Sequence, residues 1–97
     1  METLYLIREK NTQFCTIGIT DDVSKKIDEM NIHNPRELVV EKVVQLEKLS
    51  LLVLFNVIRG KFEPYKTPYS KWYNLSKSKR DYFLHLLDSF SDGLKNI

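Results

Sequence analysis

TLYLIRE at residues 3–9 and FCTIGIT at residues 14–20 decide the fold, because both runs alternate. In the first, Leu4, Leu6 and Arg8 fall on one side and Tyr5 and Ile7 on the other; in the second, Phe14, Thr16, Gly18 and Thr20 oppose Cys15, Ile17 and Ile19. A period of two sends successive side chains to opposite faces of a strand, and the β-branched residues of the second run suit that conformation. The polar stretch Lys10, Asn11, Thr12 between them predicts a turn, so the two runs form a hairpin.

Outward from the hairpin the period changes. Thr20 offers a capping hydroxyl, Asp21 and Asp22 stand where a helix dipole favours negative charge, and Val23, Ile27 and Met30 recur at helical spacing. These predict a helix from about Asp21 to Asn31, broken by Asn34-Pro35. ELVVEKVVQ, Glu37 to Gln45, is a third strand, with two Val pairs flanking a charged pair. Leu46 to Ile58 is apolar on nearly every side and predicts a buried helix closed by Gly60. A connection from Lys61 to Ser70 follows, with Pro64 and Pro68, and then a short edge strand at Lys71 to Leu75. Phe83, Leu86, Leu87, Phe90 and Leu94 place one apolar stripe on a helix from about Ser78 to Leu94, loosened near its end by Gly93. The expected fold class is α+β: a small antiparallel sheet of three to four strands flanked by three helices. Residues 1–97 make one domain, with 76–97 a C-terminal helix packed on it.

Composition bounds the function. At 42% hydrophobic and 29% charged residues the chain is of ordinary globular type, and 97 residues leave room for a shallow cleft rather than a large sequestered cofactor. Cys15 alone cannot form an internal disulfide, which suits a reducing compartment. METLYLIREK lacks the apolar core of a signal peptide, and the longest apolar run, Leu49 to Ile58, is about half of what a membrane span requires. The expected location is intracellular, in the cytoplasm or nucleus of a host cell, with no membrane partner.

Thr3-Leu4-Tyr5 and Thr16-Ile17-Gly18 stand where the GIY-YIG nuclease superfamily carries its two name-giving tripeptides. IGITDDVSKKIDEM, residues 17–30, looks like the continuation found in phage and large-DNA-virus members, and Trp72-Tyr73 after a basic loop is similar to the aromatic pair closing that branch. The resemblance covers residues 3 to about 75. It implies a GIY-YIG-like fold whose relatives hydrolyse phosphodiesters with a tyrosine as base or proton relay, an arginine on the phosphate and a helix glutamate on a divalent metal. Carried over by position, Tyr5 matches the first tyrosine, Thr16 replaces the second and Lys26 replaces the arginine. Lysine keeps the charge and loses the bidentate fork. Aligning the apolar helix on Phe55 leaves Glu47 one position from the glutamate, and one position turns a side chain about 100° around a helix. The implied catalytic set of Tyr5, Lys26 and Glu47 is therefore vestigial or weak. Glu47 is its one metal ligand, and no cofactor is expected except Mg²⁺ should cleavage survive.

The residues also mark a binding segment. Arg59, Lys61, Lys66, Lys71, Lys77, Lys79 and Arg80 against Glu63 give residues 59–80 a net charge of +6, while the rest of the chain carries −4. Phe62, Tyr65, Tyr69, Trp72 and Tyr73 interleave with them, and lysines beside aromatics hold phosphates and stack on unpaired bases. Alternatively, Phe62, Trp72 and Tyr73 complete the core and the lysines solvate a loop. On the last helix Asp81, His85 and Asp88 share a face that could approach one ion, or simply pattern the surface; His33 reads as a surface loop residue.

Three functions stay open on these grounds. The first is a catalytically degenerate GIY-YIG-like domain binding nucleic acid, with the resemblance favouring DNA over RNA. The second is an active divalent-metal-dependent endonuclease, and the third a viral module acting on a host protein. A homodimer would follow if the KWYNL strand presents an open edge.

Overall fold

The computed structural model describes residues 2–33, 36–68 and 71–95, with His33 and 91–95 described as backbone only. Its elements are β1 (Thr3–Glu9), β2 (Phe14–Thr20), α1 (Val23–His33), β3 (Leu38–Gln45), α2 (Lys48–Phe62), a 3₁₀ turn (Glu63–Tyr65), β4 (Tyr73–Asn74) and α3 (Lys77–Lys95). The fold is α+β, a four-stranded antiparallel sheet in the order β3-β1-β2-β4 with three helices. Both strands of the opening hairpin keep the bounds their alternation predicts. Asn11 turns the chain between them at φ 65°, a left-handed conformation that asparagine tolerates well.

Alternation in the hairpin becomes two faces. Leu4 lies opposite Ile19 and Leu6 opposite Ile17, and this face packs on α2 and α3 through Leu51, Leu54, Ile58, Phe62, Phe83 and Leu87. The Phe62 and Phe83 rings meet at 5.7 Å between centroids. On the other face Tyr5 and Ile7 are also buried, so β1 is covered on both sides. α1 is held more loosely, since none of its described side chains is fully buried.

Local details correct several sequence expectations. The cap of α1 is Asp22, whose carboxylate accepts the Lys25 N–H at 3.1 Å, while Thr20 ties the preceding turn by accepting the Asp22 N–H at 3.2 Å. Asn34 and Pro35, the expected helix breakers, lie outside the described residues. α2 buries one stripe only and leaves Leu49, Leu52, Val53 and Val57 exposed on its far side. Gly60 does not close this helix: its φ is not positive, and the chain stays helical until Phe62 is seated in the core, with Pro64 next. The long connection is therefore partly helical. β4 is shorter than Lys71 to Leu75, because only Tyr73 and Asn74 pair, with Cys15 and Phe14.

α3 buries Phe83 and Leu87 and stays helical through Gly93, while the Leu94 side chain lies outside the described residues. Its Asp88 pairs with Lys42 of β3 at 3.2 Å, and among the described residues no three His, Cys, Asp or Glu side chains gather, so the Asp81, His85, Asp88 face forms no ion site there. No described helix is long and apolar enough to cross a membrane.

Candidate functional site

The short reach of β4 creates the site. It pairs with Phe14 and Cys15 alone, so beyond Cys15 no described strand covers that side of β2. A cleft of about 990 Å³ opens around this uncovered edge. The sheet contributes Tyr5, Thr16 and Gly18; α1 contributes Lys26, Glu29, Met30 and Ile32; α2 contributes Phe55 and Arg59; the connection to β4 contributes Lys66, Lys71 and Trp72.

Each side chain has a local reason for its place. Tyr5 sits opposite Gly18 in the hairpin register, and its ring crosses the glycine so closely that a Cβ there would lie 2.6 Å from Cζ. A glycine at 18 is what lets the phenol reach the uncovered half of β2. Burial pushes the Tyr5 pKa above its ordinary value, so the hydroxyl keeps its proton at neutral pH. A phenol in that state donates a hydrogen bond well and is a poor general base.

On α2, Arg59 follows Phe55 by one turn and its guanidinium lies 5.4 Å from the ring centroid, which orients the charge. Residues 66–67 are tied to residues 72–73: the Trp72 carbonyl accepts the Thr67 N–H at 2.9 Å and the Thr67 hydroxyl at 2.8 Å, and Lys66 bridges to Tyr73. This tie holds Lys66 and Trp72 at the cleft. Lys26, Arg59, Lys66 and Lys71 face two carboxylates, Glu9 and Glu29, and Glu9 already pairs with Arg36 at 3.3 Å. The local field is positive.

Of the residues that the sequence singled out, Tyr5, Thr16, Lys26, Arg59, Lys66, Lys71 and Trp72 come together here. Lys61, Lys77, Lys79 and Arg80 do not line the cleft. Lys79 lies over the Tyr65 ring at 5.1 Å, and Arg80 donates to the Leu75 carbonyl at 2.7 Å. Phe62 and Tyr73 are core residues, whereas Trp72 is half-buried; Tyr69 lies outside the described residues. Glu47 is exposed, just before α2, and is absent from the cleft lining, so it does not fit a metal acting on a phosphodiester held beside Tyr5 and Lys26. The cleft also contains Phe55, Glu29 and Met30, which the sequence reading left out. The i, i+4 spacing of Phe55 and Arg59 was the available signal for the first of these.

No family model matches the chain, and no curated protein or solved structure matches it either. The GIY-YIG resemblance thus rests on the residues that carry it.

Proposed function

We propose that this chain is a nucleic-acid-binding domain on a catalytically degenerate GIY-YIG-like scaffold, with the cleft at the uncovered edge of β2 as its binding surface. One observation carries the reading: four cations from three separate elements converge on a single cleft that also holds a half-buried tryptophan. Lys26, Arg59, Lys66 and Lys71 neutralise backbone phosphates, and Trp72 gives an unpaired base a surface to stack on. Tyr5, holding its proton, donates to a phosphate oxygen. The resemblance makes DNA the first polymer to test.

Fluorescence-anisotropy titrations of labelled single- and double-stranded DNA at two salt concentrations, with and without Mg²⁺, test this, with products run on a denaturing gel. Binding that weakens steeply with salt and leaves the DNA intact is expected. Combining Lys66→Glu with Lys71→Glu lowers affinity about tenfold or more and flattens the salt dependence, while Lys61→Glu with Lys77→Glu, outside the cleft, has a much smaller effect. Equal losses from the two pairs would remove the cleft from the reading. Mg²⁺-dependent cutting abolished by Tyr5→Phe would replace it with an endonuclease, and absence of binding at low salt would favour a protein partner.

A further inference from the structure

The opposite edge of the sheet carries a second surface. Among the described residues β3 pairs only with β1, so its outer side presents an unpaired backbone edge of eight residues, about 26 Å long. Open edges pair with other strands unless something prevents it, and a bulge and a lysine, both present here, are common preventives. Their arrangement in this strand has a different result.

β3 reads LVVEKVVQ, in which VVEKVV is symmetric about the Glu41–Lys42 junction except for the sign of the charge. In a regular strand such symmetry would be useless. An antiparallel pair of identical strands is related by a two-fold axis perpendicular to the sheet, so residues facing each other must share a face, and neighbours 41 and 42 would not. The register of β3 against β1 removes the obstacle. Leu6 lies opposite Lys42 and Ile7 opposite Val40, leaving Glu41 as one extra residue. Glu41 pairs with Arg8, which alternates onto the helical face with Leu4 and Leu6, and Lys42 reaches Asp88 of α3 on that same face. The extra residue thus turns Glu41 and Lys42 to one side. Val39 and Val44 flank them there, while Val40 and Val43, both more than 40% exposed, share the other face.

We propose that a second copy of this chain docks along β3, antiparallel, with the two-fold axis between Glu41 and Lys42, to make one continuous eight-stranded sheet. In that register Glu41 of each copy faces Lys42 of the other, Val40 faces Val43 and Val39 faces Val44. Two opposite charges meet twice, and four exposed valines cover one another. The charge pairs extend existing ones, Arg8 behind Glu41 and Asp88 behind Lys42, so neither pair needs to be broken.

Sedimentation equilibrium and native mass spectrometry over a range of concentrations test the proposal, with circular dichroism to verify folding. The native chain is expected to show a concentration-dependent dimer. Glu41→Lys places like charges opposite each other in its own dimer, as does Lys42→Glu, so each variant alone shifts to the monomer. Mixed in equal amounts, the two variants restore both attractive pairs and give a mixed dimer. Val43→Arg, at a position exposed in the monomer, is a second route to the monomer that leaves the fold intact. A native chain that is monomeric at every concentration overturns the proposal, and so do charge variants that self-associate as the native chain does.

Discussion

The two edges of this sheet are built in opposite ways. At one, β3 runs the full length of β1 and offers a long, regular, apolar border broken by one extra residue. At the other, β4 is two residues long and stops where Tyr73 meets Cys15, leaving the rest of β2 to face helices and a loop. A complete strand leaves only its own outer edge to be satisfied, and a second strand does that best. A truncated strand leaves a cleft, and side chains from distant parts of the chain fill its walls. Size of the edge strand therefore distinguishes the surfaces: an unpaired strand edge at β3, where we propose self-association, and a cleft beside β4, where we propose nucleic-acid binding.

The largest effect is expected where β4 is anchored. Leu75 is fully buried and its N–H donates to the Gln13 carbonyl at 2.9 Å, so it fixes the end of the short strand. Leu75→Ala should cost about 2–5 kcal/mol in a chemical denaturation experiment. Because it frees the loop that carries Lys71 and Trp72, DNA affinity should fall with it, even under conditions where the variant is folded. A folded variant with native affinity would show that the cleft is not set by β4. Gly18→Ala comes next, at about 1–3 kcal/mol, because the new methyl displaces the Tyr5 ring. It should weaken DNA binding and leave the association along β3 as it is; a melting temperature equal to that of the native chain would contradict this.

The third effect is negligible at neutral pH and appears only in alkali. Cys15, on β2 where β4 pairs, has its thiol pushed by burial from 9.0 up to about 11, against the opposing pull of Arg80. Above pH 9 the unfolded chain releases that proton while the folded chain keeps it. Stability should therefore be level below pH 9 on account of this group and decline toward pH 11. Cys15→Ala removes that part of the decline, leaving the one at higher pH from buried Tyr5, whose pKa is also raised. Identical alkaline slopes in native and variant chains would show that the thiol is not protected by the closed end of the sheet.

Much of the fold was legible in the chain, but the contrast between its edges was not: the sequence offered KWYNL as the open edge for a dimer, and β3 became an edge only with the strand order. Alternation gave the hairpin because β1 and β2 are regular strands with distinct faces, and the i, i+3, i+4, i+7 stripe gave α3. Gly60 misled because helix termination by glycine depends on a positive φ, which sequence does not reveal, and Phe62 had a core site to reach two residues later. The basic segment was recognised as a whole, but its members divide by helix phase and loop closure. Lys66 and Lys71 face the cleft, while Lys79 and Arg80 support Tyr65 and Leu75. Lys26 joined through the resemblance rather than through charge, since it lies far along the chain from the others. The adjacent Glu41 and Lys42 were visible as letters, but their placement on one face came only with the register of β3.

The looseness of α1 has a consequence for how the cleft works. This helix supplies Lys26, Glu29, Met30 and Ile32 to one wall, yet buries none of its described side chains fully, whereas the wall from α2 grows out of the core. The cleft thus has one fixed jaw and one compliant jaw. A movement of α1 would change the cleft's width without disturbing the core between the sheet and the other two helices, since no described α1 residue belongs to that core. Under the proposed binding role, ligands of different girth would share the same cations while the core between the sheet, α2 and α3 stayed as it is.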